Sequence, residues 1–191
     1  MKRRLVLLGP PGSGKGTQGS LLSAELGIPT ISTGALFRDQ IARGTALGVE
    51  AQTYMAQGHL VPDRVVNAMV QSRLGLADAA VGFILDGYPR NVPQVAVLDS
   101  ILAEADWAIE AAVSFELPEE LIVERLLKRA QIEGRLDDTE PVIRERLAVY
   151  HLQTEPIAAV YQSRGLLTPV DAVGSVELVA DRVRRALEAG A

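Results

Sequence analysis

Cysteine is absent from this chain of 191 residues, and histidine occurs only as His59 and His151, far apart. Disulfides, thiolate zinc sites and histidine-rich metal sites are thereby excluded, so zinc is not expected and any metal must arrive with a bound ligand. No block of basic residues appears, and the net charge is −5. That balance argues against a nonspecific nucleic-acid binder, which would present a basic surface to phosphate backbones. Internal repeats, low-complexity tracts and flexible linkers are also missing. The opening MKRRLVLLGPP resembles a secretory signal for a few residues, but its apolar run is short and ends in Gly-Pro-Pro, so a cytoplasmic location without a membrane partner is the expectation.

What the chain has is apolar content, 48 % of its residues, enough for one soluble globular domain with small insertions. Its most informative stretch is GPPGSGKGT, residues 9–17, placed directly after the apolar run Leu5–Leu8. A strand that breaks into a glycine-rich turn and then opens a helix aims backbone N–H groups and the positive helix end at a polyphosphate. Gly9, Gly12 and Gly14 permit the turn, and Lys15 brings a point charge to the outer phosphates. The spacing G-x4-G-K is met, although Gly16 stands where the general motif has Ser or Thr and Thr17 follows it.

Short β-branched or leucine-rich runs alternate with longer helical patterns, the signature of a parallel sheet covered by helices on both faces. Five strands are expected near Arg4–Leu8, Thr30–Ser32, Gly82–Asp86, Ala111–Leu117 and Leu166–Val170. Helices are expected over Lys15–Leu26, Leu36–Arg43, Arg64–Leu76, Pro93–Ala105, Glu119–Gln131, Glu140–Arg164 and Val176–Ala189. In the last, Val176, Val179, Val183 and Leu187 recur at helical spacing and read as core packing. Residues 32–61 and the polar run GRLDDTEP after Glu133 look like insertions able to move against a rigid core.

The run Phe83-Ile84-Leu85-Asp86-Gly87 puts a carboxylate at the end of an apolar strand, where open α/β sheets gather their ligands. Asp86 is a candidate to hold waters on a phosphate-bound Mg²⁺, or else a turn residue satisfied locally. Gly87-Tyr88-Pro89-Arg90 then delivers an arginine, whose planar fork suits phosphate oxygens, to the same edge. Arg125 and Arg129, four apart on a helix, face the same way, and Arg135, Arg144 and Arg146 follow. Taken alone these arginines read as solvated surface charge among glutamates. Beside a phosphate loop they read as cations for phosphoryl transfer, which depends on positioning and charge stabilisation. Asp137 and Asp138 serve either to lock the polar segment or to cap the helix starting near Glu140.

With these pieces placed, the chain resembles the adenylate kinases of the nucleoside monophosphate kinase family. The matching blocks are GPPGSGKGTQ from Gly9, ISTG from Ile31, Arg38, HLVPD from His59, LDGYPR from Leu85, Gln94, Arg125 with Arg129, GRLDD from Gly134 and RERL from Arg144. The resemblance implies a phosphate-binding-loop kinase fold and reversible phosphoryl transfer from ATP to AMP giving two ADP, with Mg²⁺ riding on ATP, in adenine nucleotide homeostasis. It implies a monomer whose residues 32–61 form the AMP-binding flap and whose residues 128–138 form a short lid without zinc, both closing on substrate. ATP would be held by Gly12, Ser13, Gly14, Lys15, Gly16, Thr17, Arg125, Arg129 and backbone at Gly174, with Arg125 against its adenine. AMP would be bound by Thr33, Arg38, backbone over His59, Leu60 and Val61, then Gly87, Tyr88, Pro89, Arg90 and Gln94, with Gln94 reading the adenine edge. Arg135 and Arg146 would also touch AMP and, with Lys15, Arg90 and Arg129, would act on the transferring group.

Departures from the family pattern are Ala35 where Asp is usual and Tyr88 where Phe is usual. His151 and Trp107 match no functional position. The UMP/CMP kinases share the loop and the arginines. Thr33 and Gln94 match the adenine-reading pair, whereas Asn91 leans toward the pyrimidine pattern. A nucleotide-dependent switch is a rival of another class, but the chain has no guanine-reading NKxD motif, and a switch has no use for a second nucleotide site.

Overall fold

The computed structural model describes residues 2–133 and 139–189. Among them, the strands β1 (Arg4–Leu8), β2 (Thr30–Ser32), β3 (Phe83–Asp86), β4 (Ala111–Glu116) and β5 (Leu167–Asp171) form one sheet in the order β2-β3-β1-β4-β5. Every pairing is parallel, so each crossover must carry a helix across a face of the sheet.

Side chains alternate along each strand and thereby divide the core in two. Val6, Leu8, Phe83 and Leu85 face the helices α2 (Thr33–Ala42), α3 (Ala46–Met55), α4 (Asp63–Leu74), α5 (Val92–Ala103) and α8 (Pro156–Ser163). Leu5, Leu7, Ile84 and Val113 face α1 (Lys15–Leu26) and α9 (Val176–Ala189). A third, smaller cluster joins α6 (Glu119–Glu133) to α7 (Glu140–Val149) through Ile122, Leu126, Ile143 and Leu147. Both faces of the sheet are therefore covered, as the alternating pattern predicts, and α1 has the bounds expected from the sequence.

Three local expectations need correction. The single helix over Glu140–Arg164 is instead α7, a π-helical turn over Tyr150–Thr154 and α8. Pro156 is the cause: it has no N–H to donate and its ring crowds the carbonyl four residues back, so the chain widens before it, with Glu155 N donating to Tyr150 O at 2.9 Å. The insertion over 32–61 holds two helices, and α2 starts at Thr33, three residues before the expected Leu36. In α9, Val179, Val183 and Leu187 are buried, but Val176 is 44 % exposed because it sits at the helix start, beside the cleft described below. Thr139 is the N-cap of α7, while Asp137 and Asp138 lie outside the described residues.

Candidate functional site

The central strand β1 ends at Leu8, and the glycine-rich loop that follows turns into α1 at Lys15. Gly9, Gly12 and Gly14 have φ of 138°, 80° and 97°, a region that residues with a Cβ rarely occupy. Gly14 caps α1 without a side-chain acceptor, so no side-chain oxygen competes for the first-turn amides, the arrangement that binds phosphate. A Cβ on Gly12 would stand 2.9 Å from Leu126 Cγ, so the loop is seated directly on α6.

Lys15 Nζ donates to the carbonyls of Gly9 and Pro10 at 2.8 Å and to Ser13 Oγ at 3.3 Å. Burial pushes its pKa down to about 8; Asp86 opposes that shift, and Arg90, Arg146 and Arg129 add to it by repulsion. Burial likewise pushes Arg90 down to about 10, with repulsion from Arg146 and Arg38 adding to it and Asp86 opposing it. Among the described residues, Lys15 and Arg90 thus feel Asp86 together with Arg38, Arg129 and Arg146, in a chain of net charge −5. Repulsion among these cations is relieved where a polyanion enters the space they line.

Asp86 closes β3, in register with Leu7 of β1 and Ser32 of β2, and its Oδ2 accepts from Ser32 Oγ at 3.2 Å. A hard oxygen donor at the strand end, facing the phosphate loop, suits a hydrated Mg²⁺ carried in by phosphates. Among the described residues no cluster of three or more His, Cys, Asp or Glu could hold a metal unaided. The next residue, Gly87, has φ 77°, and a Cβ there would lie 2.9 Å from Thr33 Oγ1 and 3.0 Å from Arg90 Nη2. Any other residue would be strained at that φ and would displace the Thr33 hydroxyl or the Arg90 guanidinium.

Two cavities meet at this point. The larger, a cleft of about 1100 Å³, exceeds the roughly 300–1,000 Å³ usual for one small ligand. It is lined by Gly12, Ser13, Gly14, Lys15, Gly16 and Thr17, by Asp86 and Pro89, by Arg125 and Arg129, and by Gly174. Arg125 Nη2 donates to Ala172 O at 3.0 Å, which fixes that guanidinium beside the Gly174 backbone. The smaller cavity is lined by Thr33, His59, Leu60, Val61 and Gln94. Leu60 also lines the larger cleft, as do Gly34, Arg38, Gly58, Gly87, Arg90 and Arg146, which line both. The His59 imidazole is 48 % exposed and lies 3.5 Å from Glu145 on α7. Arg144 pairs with Glu140 on the surface of α7. Arg135 lies outside the described residues, as does the rest of the segment beyond Glu133 up to Thr139. Residues 128–133, assigned in sequence to the lid, continue α6.

Tyr88 departs from its expected place. Its side chain is fully buried and lines neither cavity; the hydroxyl donates to Asn67 Oδ1 of α4 at 2.8 Å. Asn91 is the N-cap of α5, accepting from Gln94 N at 2.9 Å, so it has a capping duty that needs no pyrimidine. Sequence reasoning gave no role to Asp63, whose carboxylate accepts from Gln94 Nε2, or to Thr154, whose Oγ1 donates to Arg90 O at 2.8 Å. Asp63 ends the block HLVPD, and Pro156 signals the turn that carries Thr154, but which partners they meet depends on long-range packing.

Comparison with known proteins adds to this geometry. A family model described as adenylate kinase matches residues 7–166. A Micrococcus luteus protein named adenylate kinase is 50 % identical over 184 residues, covering 96 % of this chain and 90 % of its own length. Adenylate kinases of Thermobifida fusca (48 %, covering 98 % of this chain and 100 % of the relative) and Xylella fastidiosa strain M12 (50 %, covering 96 % and 98 %) are similar to the same extent.

Proposed function

The chain belongs to the adenylate kinase family, and on that basis we propose that it transfers the terminal phosphoryl group of ATP to AMP, reversibly, giving two ADP. The observation that carries this reading is that Arg90 and Arg146 line both cavities. A donor nucleotide in the larger cleft and an acceptor in the smaller one would present their phosphates to shared guanidinium groups, Arg38 being a third that lines both.

An oxygen of the AMP phosphate attacks the γ-phosphorus of ATP, and the bond from that phosphorus to the β–γ bridging oxygen breaks, the electron pair leaving with ADP. Little covalent chemistry falls to the protein, so its contribution is alignment and charge stabilisation. The loop from Gly12 to Thr17 cradles the ATP phosphates, and Lys15 follows the transferring group. Arg125 and the backbone at Gly174 flank the ATP base. Arg38 and Arg90 hold the AMP phosphate, while Thr33, Gln94 and the backbone over His59–Val61 enclose its base. Arg129, Arg146 and Arg135 surround the group in flight. Asp86 would hold, through water, a Mg²⁺ arriving with ATP, and such an ion would supply neutralisation of phosphate charge.

Within the single kinase domain, residues 32–61 act as the AMP flap and residues 128–138 as a short lid, each closing to exclude water. The protein works as a cytoplasmic monomer on free nucleotides, without nucleic acid, membrane or zinc. Among the described residues no helix is long and apolar enough to cross a membrane. Assaying ATP with AMP, GMP, CMP and UMP in turn tests the reading. AMP is expected to be strongly preferred, and CMP or UMP turned over as well as AMP would overturn the assignment.

A further inference from the structure

We propose that Asp63 is a specificity-determining positioning residue: it fixes the direction of the Gln94 amide so that the acceptor pocket pairs with a 6-aminopurine and rejects a 6-oxopurine. The inference rests on the reading that Gln94 pairs with the acceptor base.

A glutamine amide can turn end for end with almost no change of shape, exchanging its donor face for its acceptor face. A glutamine that turns freely reads either kind of base edge. Here it is held at both ends. Gln94 Nε2 donates to Asp63 Oδ1 at 2.7 Å, and Gln94 Oε1 accepts from the Arg90 backbone N–H at 2.7 Å. An ionised carboxylate only accepts and a backbone N–H only donates. The turned amide would place oxygen against oxygen and N–H against N–H, losing both bonds inside a residue that is 2 % exposed.

Asp63 is itself held in place. Asn91 Nδ2 donates to both of its carboxylate oxygens at 3.1 Å, and Asn91 Oδ1 caps α5 by accepting from Gln94 N. The carboxylate opens α4, while Asn91 and Gln94 begin α5, so the pair of helices sets the amide's direction. With one N–H and one lone pair engaged, the amide retains one donor and one acceptor in a fixed order. A 6-aminopurine offers an amino donor beside a ring-nitrogen acceptor, which matches that order. A 6-oxopurine offers a carbonyl at that position, beside an N–H on one edge or a second acceptor on the other, and matches on neither. Discrimination of this kind comes from leaving polar groups unpaired with the wrong ligand.

The test uses the full-length protein and kcat/KM for AMP and for IMP, with ATP as donor, in Asp63→Asn, Asp63→Ser and Gln94→Ala. Asparagine and serine can donate as well as accept, so either releases one of the two locks. The AMP-to-IMP preference is expected to fall by about tenfold in both Asp63 variants, with IMP gaining, the scale of one hydrogen bond's discrimination. Gln94→Ala is expected to lower kcat/KM for AMP. If the Asp63 variants lose AMP and IMP activity equally, or keep the wild-type preference, while Gln94→Ala impairs AMP, the positioning role of Asp63 is overturned and the base-reading role of Gln94 stands. If Gln94→Ala leaves AMP unaffected, the base-reading role fails and the inference falls with it. Serine is included because its smaller side chain and good fit to a helix start keep the test usable if the asparagine variant misfolds.

Discussion

The Thr33 hydroxyl and the Arg90 Nε donate to the same acceptor, the Gly87 carbonyl, each at 2.8 Å. One carbonyl thereby links the start of α2 to Arg90, one of three arginines that line both cavities. The hydroxyl proton of Thr33 is engaged in this bond, so toward a nucleotide Thr33 offers its oxygen as an acceptor.

Thr33→Val keeps the shape and removes that tie. Arg90 keeps its own bond to Gly87 but loses the strut beside it, and the smaller cavity loses an acceptor. A single neutral hydrogen bond is worth about 0.5–1.5 kcal/mol, so kcat/KM for AMP is expected to fall by up to roughly tenfold with KM for ATP unchanged. Steady-state kinetics with each nucleotide varied in turn provides the check, and an equal loss for both substrates would contradict the link.

Much of this site is legible in the sequence because its parts are local. The strand, the glycine turn and Lys15 lie within a dozen residues, and Asp86 and Arg90 are four apart across one turn. Arg125 and Arg129 share a helix face whatever that helix packs against, and both line the cleft. Asp63, Asn67 and Asn91 escape a linear reading because their meaning is a meeting of α4 with α5. Val176 fits the helical period of α9, yet its exposure follows from where the helix begins, which periodicity does not encode. The unread roles are those that depend on which elements become neighbours.

Replacing Lys15 by Met separates catalysis from folding. An electrostatic contact to charge developing in the transition state is typically worth about 10²–10³ in rate, so kcat should drop by that factor. The ammonium is held at a pKa of about 8 against an ordinary 10.5. A lysine depressed in the folded state contributes most to stability above about 10.5, loses that contribution as pH falls toward about 8, and is flat below. At pH 7 the folded protein therefore carries the cost of a buried charge, and Lys15→Met should melt no lower than the wild type. A large drop in melting temperature would make the lysine structural.

The same titration appears in the kinetics of the unmodified protein. On the proposed role of Lys15, phosphate is bound by its charged form, so kcat/KM for ATP, which reports the free enzyme, should decline above about pH 8. Bound polyphosphate brings negative charge and raises the lysine pKa, so the corresponding decline in kcat should lie at higher pH. Coincident limbs in the two profiles would show that another group is being titrated.

Tyr88→Phe restores the residue usual in the family and should nevertheless weaken this protein. Its hydroxyl is bonded to Asn67 Oδ1, and Tyr88 is fully buried between α4 and α5. Leaving Asn67 without that donor is expected to cost about 1 kcal/mol, or roughly 2–4 °C in melting temperature for a chain of this size. Because Tyr88 lines neither cavity, kcat is expected to hold. A double-mutant cycle with Asn67→Ala measures the pair, and an unchanged melting temperature in the single variant would show that the hydroxyl contributes nothing.

Arg146 separates two accounts of the arginine cluster. It lines both cavities, and it lies close enough to the loop before His59 that a Cβ on Gly58 would stand 3.1 Å from Arg146 Cγ. If its duty is to brace α7 against residues 32–61, Arg146→Ala should lower the melting temperature and raise KM for AMP while kcat persists. If its guanidinium stabilises the phosphoryl group in flight, the loss should fall on kcat, since interactions that strengthen in the transition state act there. An arginine in that position can be worth about 10³–10⁵ in rate, far beyond the roughly 0–1 kcal/mol of an exposed ion pair. Arg146 lines the larger cleft together with Lys15 and Arg90, and that placement favours the second account. Arg146→Ala should therefore lower kcat by at least about 10³ and raise either KM by less than about tenfold. A folded variant with normal kcat would remove Arg146 from the catalytic group and leave Lys15, Arg90 and Arg129 to carry the charge.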